Sequence, residues 1–197
     1  MPNQEYWEQC YQEGNTRWDL GTAAPPFLSL LKSENPPSPG RVAVLGCGRG
    51  YDAILFAKYG FEVVGFDFTV AAIRDATTLA KSENISAEFL QRDIFDLPGE
   101  FAGEFDYVIE HTCFCAIARS LRLDYVQLVK SILKPQGQLI GLFFTHSRPD
   151  GPPFGTNPAE IREYFQPDFE ILSLKPVLNS VPSRQGEEHL GRFQVVK

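Results

Sequence analysis

The chain has no basic run, no long apolar run and no second cysteine pair, and each absence removes a class of function. Its 197 residues carry 18 Lys and Arg against 25 Asp and Glu, a formal charge of −7. Proteins that bind nucleic acid need a basic patch or stripe to neutralise phosphates, so nucleic acid is excluded as a partner. No apolar stretch approaches the ~20 residues that span a bilayer. The opening Met1-Pro-Asn-Gln-Glu-Tyr-Trp-Glu8 is polar and aromatic, unlike a secretory signal. A soluble cytoplasmic protein without a membrane partner is expected. The four cysteines are Cys10, Cys47, Cys113 and Cys115. One Cys-x-Cys without a second pair supplies too few ligands for zinc, so no metal is expected, and the thiols read as small buried hydrophobes.

What is present is organised around Arg41-Val-Ala-Val-Leu-Gly-Cys-Gly-Arg-Gly-Tyr-Asp52. Val42 to Leu45 read as a buried strand, and Gly46, Gly48 and Gly50 as a tight turn. The spacing of Ile54, Leu55, Ala57 and Phe61 predicts a helix over 51–59. Strand, glycine turn and helix make the first half of a nucleotide-binding βαβ unit. A second strand ends in Asp67, 21 residues beyond Gly46, where a carboxylate can accept hydrogen bonds from both hydroxyls of a ribose. The third glycine of the dinucleotide fingerprint is missing, because Tyr51 stands there, and Arg49 is the lone cation of the turn. The expected ligand is a nucleoside without a pyrophosphate, of which S-adenosylmethionine (SAM) is the commonest.

With 43% hydrophobic and 13% aromatic residues, the chain is expected to form one domain over 1–197 with a substantial core. Residues 3–13 carry Trp7 and Tyr11 four apart on one helical face, and Trp18 follows in a turn. These aromatics read either as core or as a lid over a sulfonium cation, within an N-terminal segment 1–35. A short helix is expected over 26–32. Further along, strands are expected at 41–46, 62–66, 87–91, 105–110 and 137–144. Helices are expected at 51–59, 69–82 and 120–133. Such alternation predicts a mostly parallel sheet covered on both faces. Ligands of such sheets bind at the carboxyl ends of strands, which sets Gly46–Gly50, Asp67, Asp93-Ile94-Phe95 and Glu110-His111 along one edge of one crevice. Asp93 can accept from an adenine amino group, or cap a turn. A proline- and glycine-rich loop, 147–155, precedes a helix at 158–165. Two runs, 168–178 and 188–196, are expected to close the sheet as an antiparallel pair.

Trp7-Glu-Gln-Cys-Tyr11, Trp18-Asp-Leu-Gly21, Leu45-Gly-Cys-Gly-Arg-Gly-Tyr-Asp52, Gly65-Phe-Asp67, Asp93-Ile-Phe95 and Phe114-Cys-Ala-Ile117 carry a family likeness. The chain resembles the thiopurine S-methyltransferase-like class I methyltransferases, and most closely the plant halide/thiol methyltransferases among them. Gly151-Pro-Pro-Phe154 is similar to the family's substrate loop, and Ser180-Val-Pro-Ser-Arg-Gln-Gly-Glu187 to its C-terminal signature. The resemblance implies a single-domain, Rossmann-like fold of seven mostly parallel strands with one reversed, SAM as methyl donor and S-adenosylhomocysteine (SAH) as product. It implies cofactor contacts from Trp7, Tyr11, Trp18, Gly46, Asp67, Asp93, Ile94 and His111. It also implies that Arg122 lies close to cofactor and substrate, with Phe154 on the substrate side. Tyr11 and His111 depart from plant relatives, which carry tryptophan and tyrosine there.

The Asn-Pro-Pro-Tyr type of motif used by amino-group methylases is absent, and Glu110-His111-Thr112 occupies its place. That absence counts against DNA or protein nitrogen, and the resemblance implies a small soft nucleophile as acceptor: a thiol, hydrosulfide, thiocyanate or halide ion. No residue is assigned as a general base. A thiopurine or other organic thiol is the alternative acceptor. A nicotinamide oxidoreductase and a catalytically silent SAM-binding module are the rivals from other classes. A monomer is expected.

Overall fold

A computed structural model describes residues 3–196. Seven strands form one sheet in the order β3-β2-β1-β4-β5-β7-β6. They are β1 (Arg41–Leu45), β2 (Glu62–Asp67), β3 (Glu88–Gln91), β4 (Phe105–His111), β5 (Leu133–Phe144), β6 (Phe169–Pro176) and β7 (Glu188–Val195). β7 runs antiparallel to both β5 and β6, and the remaining pairings are parallel. The expected C-terminal antiparallel pair is present, with the reversed strand placed between β5 and β6.

Seven α-helices join these strands: α1 (Gln4–Glu13), α2 (Pro25–Leu31), α3 (Tyr51–Lys58), α4 (Val70–Ser82), α5 (Leu97–Glu100), α6 (Arg122–Ile132) and α7 (Pro158–Phe165). Among the described residues no helix is long and apolar enough to cross a membrane. Alternate residues of the central strands enter opposite cores, as strand geometry requires. Val42, Val44, Val63 and Ile109 face a core completed by Phe27 of α2 and Phe56 of α3. Ala43, Leu45, Val64, Phe66 and Val108 face another, completed by α6, α7 and β7 through Tyr125, Phe165 and Phe193. Burial on both faces explains why these strands read as continuous apolar runs rather than alternating ones.

Two stretches differ from the expected elements. Ile94–Asp96 forms a 3-10 turn leading into α5, where Pro98 and Gly99 hide a helix from any propensity reading. β5 begins directly after α6, four residues early. Leu133 pairs with Phe105, and the register shifts before Tyr107 meets Gln138. Lys134-Pro-Gln-Gly137 is the extra chain, a bulge with Gln136 at φ +66°.

The strand order reverses between β1 and β4, because the chain builds outward from β1 to β3 and then returns to the other side. Crevices open at such a switch point. Its rim is formed by the turn after β1. Gly50, the last residue before α3, adopts φ +79°, and a Cβ there would come within 2.9 Å of the Ala76 Cβ and 3.0 Å of the Phe89 ring. Gly103 has a similar φ of +67° but faces open space. Gly103→Ala should therefore cost only left-handed strain, about 1–2 kcal/mol. Gly50→Ala adds overpacking of about 1–3 kcal/mol to that strain. Urea unfolding of the two variants should rank them in that order.

Candidate functional site

A cavity of about 1150 Å³ lies at the carboxyl ends of the strands, under α1. This is ample for a nucleoside cofactor and a small second ligand. Its walls include Trp7, Tyr11, Trp18, Gly46, Asp67, Asp93 and Ile94, which sequence reasoning brought together in advance. Gly48 and His111 lie instead on a small adjoining recess, which shares Tyr11, Trp18, Gly46 and Thr112 with the large cavity.

Asp67 ends β2 and is buried. Its Oδ1 accepts from the Thr69 backbone N (2.9 Å) and hydroxyl (2.7 Å), and its Oδ2 from the Gly48 N (3.0 Å). Burial raises its pKa, and these hydrogen bonds oppose the rise. The carboxylate is thus oriented before any ligand arrives, with acceptor capacity left toward the cavity. A Cβ at Gly48 would press on the Tyr11 hydroxyl at 3.2 Å, so the turn stays open only as glycine. Asp93 lines the cavity and also caps the following turn, its Oδ1 accepting from the Phe95 N at 3.0 Å. The cap reading of that residue is thus met, and its position leaves it on the cavity wall. Arg49 does not face a ligand: it binds Asp19, Asp75 and Thr16, tying the N-terminal segment to the glycine turn.

The aromatic N-terminus packs edge to face, with ring centroids of Trp7 and Trp18 5.0 Å apart and of Tyr11 and Trp18 5.7 Å apart. Helix α1 docks through two polar contacts that the sequence did not flag. The Gln4 side chain donates to the Phe68 carbonyl at 2.7 Å. The Glu8 carboxylate accepts from the Val70 and Ala71 amides at 2.9 and 3.3 Å, capping α4 from another element. The Thr69 hydroxyl, which would ordinarily cap α4, is bound to Asp67 instead.

The resemblance sets Arg122 and Phe154 by the substrate; neither is among the residues that line the cavity. Arg122 is buried behind loop 147–155, donating to the carbonyls of Phe154 (3.0 Å) and Gly155 (3.2 Å). Its guanidinium lies 4.7 Å from the Phe114 ring centroid. The loop turns Pro152 and Pro153 to the cavity, and the Phe154 backbone N is held by the Cys115 carbonyl at 2.6 Å.

Arg17 and Arg92 line the cavity, as do Arg148 and Arg184, the two that stand beside Phe144. They lie over the Phe144 ring at 5.3 and 5.5 Å. Arg184 was visible only as part of the C-terminal signature, and Arg148 carried no signal. The lining is thus of mixed charge: Asp67, Arg92, Asp93 and Asp96 come from the end of β2 and the stretch just after β3, and Arg148 and Arg184, paired with Glu187 and Glu188, from later loops. Cys113 and Cys115 also line it, but burial raises both thiols, Cys115 to about 12, so neither is a thiolate at neutral pH. Among the described residues no histidine lines the large cavity. Thr112, just after β4, adopts φ +61°, a conformation that non-glycine residues hold only under constraint from their surroundings.

A family model described as Thiopurine S-methyltransferase (TPMT) matches residues 2–194. The Arabidopsis thaliana protein named "Probable thiol methyltransferase 2" is 35% identical over 194 residues, covering 95% of this chain and 84% of its own. "Thiocyanate methyltransferase 1" of the same plant is 32% identical, covering 96% of this chain and 84% of its own. The solved structure of Burkholderia thailandensis 1,6-didemethyltoxoflavin-N1-methyltransferase with bound 1,6-didemethyltoxoflavin and SAH matches with a TM-score of 0.80. Identity is 18%, with 98% of this chain and 87% of that one covered, a likeness of fold.

Beneath the cavity floor, Glu110 is buried, with Oε1 accepting from the Phe114 N at 2.8 Å and Oε2 lacking a partner. Burial pushes its pKa up to about 7, against the opposing pull of its backbone hydrogen bonds. An acid whose pKa rises on folding takes up a proton as it folds. That stability is complete below the unfolded value near ~4.3 and is lost as pH rises through about 7. Its contribution to unfolding free energy should fall across that window by up to ~3 kcal/mol. Urea unfolding at pH 5 and pH 8 should show the fall in wild type and a flatter profile in Glu110→Gln.

Proposed function

The chain belongs to the thiopurine S-methyltransferase family and is a SAM-dependent methyltransferase, and from that premise we propose that its acceptor is a small soft anion or thiolate. The observation that carries the reading is the composition of the Arg184 end of the cavity. Two guanidiniums flank the Phe144 ring there, Arg148 paired with Glu187 and Arg184 with Glu188; Ile117, Pro152 and Pro153 add apolar wall, and among the described residues no histidine lines the cavity. The plant relatives' names, thiol and thiocyanate methyltransferase, agree with such an acceptor.

The residues fit the cofactor at the opposite end. Asp67, oriented by Gly48 and Thr69, would hold the ribose hydroxyls, and Asp93 and Ile94 the adenine edge. Trp7, Tyr11 and Trp18 would present ring faces and edges to the cationic portion. When bound, SAM supplies a methyl group on a sulfonium with a neutral leaving group. The protein's share is to orient the acceptor in line, to attract its charge and to exclude water. Positioning of this kind can supply ~7–11 kcal/mol of the barrier. A halide or thiocyanate carries no proton, and a thiol reacts as its thiolate, so a dedicated base has little to add.

Helix α1 serves as the lid of this site, latched by Glu8 on the first amides of α4. Four experiments test the reading. A screen of SAM with thiocyanate, hydrosulfide, iodide, organic thiols and a thiopurine should give methylated products with the small anions turned over best. Products from amines alone would remove the anion reading. For the thiols, the rising limb of kcat/KM with pH should move with each thiol's own pKa. Asp67→Ala forfeits charge-assisted hydrogen bonds of ~1.5–3 kcal/mol each, so SAH affinity by calorimetry should drop at least ~tenfold in a folded variant. Finally, SAH should slow limited proteolysis near Gly14 in wild type. Glu8→Ala should lose most of that protection, and unchanged cleavage of wild type at saturating SAH would count against a lid.

A further inference from the structure

We infer that His111 is a positioning residue which, together with Asp52, holds the Arg184 guanidinium at the acceptor end of the cavity, and which can do so only as a neutral imidazole. The inference rests on reading that end as an anion site.

Three distant stretches meet here: the end of β4 with His111, the first turn of α3 with Asp52, and the 3-10 turn Pro182–Arg184 ahead of β7. Arg184 Nη1 lies 2.8 Å from His111 Nε2. A guanidinium can only donate, so Nε2 must offer its lone pair. The ring proton then resides on Nδ1, which lies 2.7 Å from Asp52 Oδ2 and donates to it. The two contacts therefore fix one tautomer, and Asp52 fixes the ring plane. Arg184 also donates from Nη1 to Glu188 Oε1 at 3.3 Å and from Nη2 to the Trp18 carbonyl at 2.7 Å. The cation is thus clamped by β4, β7 and the N-terminal segment. Through Trp18 the same clamp reaches the aromatic wall of the cofactor end.

Protonation would undo this arrangement. An imidazolium has no lone pair for Arg184 and sets a second positive charge against it. The charged groups facing His111 are Asp52 from α3, Arg184 from its turn, Glu188 Oε1 of β7 at 3.9 Å, and Glu110, its neighbour in β4. From α2 it meets only the Phe27 ring, at 5.9 Å between centroids. The carboxylates temper the repulsion, but they cannot replace the lost acceptor. Arg184 must then swing away from the position in which it meets the acceptor. Because His111 stands on the adjoining recess and not on the large cavity, this control does not require it to receive a proton from substrate.

The test uses thiocyanate, which carries no proton between pH 5 and 8, the range in which imidazoles change charge. At saturating SAM, its KM in wild type should rise at least ~tenfold toward the acid end while kcat changes far less. A glutamine amide can accept from Arg184 and donate to Asp52 in the same order. His111→Gln should therefore remove the acid rise, with a KM near the wild-type alkaline value. His111→Phe offers no acceptor and should raise the KM at every pH, while calorimetric SAH affinity stays within a few-fold of wild type. Independently of turnover, nitrogen NMR of the imidazole in the SAH-saturated chain should show the proton on Nδ1. A proton on Nε2 at neutral pH, or an identical acid rise in His111→Gln, would overturn the inference. Should folded, SAH-binding wild type methylate no anion at all, the anion reading fails, and the NMR tautomer decides the Asp52–His111–Arg184 arrangement by itself.

Discussion

The site depends first on one buried carboxylate. Asp67 gathers the Gly48 amide from the turn after β1 and the Thr69 amide and hydroxyl from the start of α4. Two βα corners are thereby locked to the end of β2, and the turn geometry that leaves room for a nucleoside follows from the lock. A consequence runs outward from it. Because Thr69 is committed to Asp67, α4 lacks its own cap, and Glu8 of α1 supplies one from outside. The N-terminal helix is therefore held over the cavity by a vacancy that the cofactor site itself creates. Stability and ligand binding share the same hydrogen bonds here, and a change at Asp67 would be felt in the turn, in α4 and in the docking of α1.

The placement of charge around the cavity follows from topology as much as from composition. The chain as a whole is acidic, and acids at the cavity sit at the ends of β2 and β3, with Arg92 next to Asp93 in the chain. The two guanidiniums beside Phe144 come from loop 147–155 and from the 3-10 turn before β7. β7, inserted antiparallel between β5 and β6, starts at the same sheet edge where the parallel strands finish. The reversed strand is what brings Arg184 and Glu188 to the ligand side. A wholly parallel sheet would start its last strand at the opposite edge.

Most of this frame was legible in the sequence. The apolar runs of β1, β2 and β4, the glycines, Asp67 and Asp93 are local signals whose meaning survives without tertiary context, because strand period and turn chemistry are local. Glu8 capping α4, Arg49 bridging Asp19 and Asp75, and Arg122 turned away from the cavity were not legible. Each depends on which side of a helix meets which loop, and no spacing rule carries that. His111 shows the limit most clearly. Its position at the end of β4 marks it for the crevice, but its ring is engaged by Asp52 and Arg184, residues 59 and 73 positions away.

Two buried arginines pin irregular backbone beside the cavity. Arg122 is almost fully buried without a close carboxylate, its nearest being Glu160 at 3.8 Å, and burial lowers its pKa. An isolated buried cation is costly unless its donors are taken up; here the carbonyls of Phe154 and Gly155 take Nη2 and the Phe114 ring lies against the guanidinium, while Nε has no partner among the described residues. Displacing loop 147–155 would strip those partners from the charge, so the cost of exposing the buried donors resists loop motion. Arg184 acts the same way on the other side, taking the Trp18 carbonyl. Both arginines thus fix backbone beside the cavity. The difference lies in what else each touches. Arg122 lies against the Phe114 ring, which offers a face and no lone pair in its plane. Arg184 ends on the His111 imidazole and the Glu188 carboxylate, so its hold depends on which ring nitrogen of His111 carries the proton.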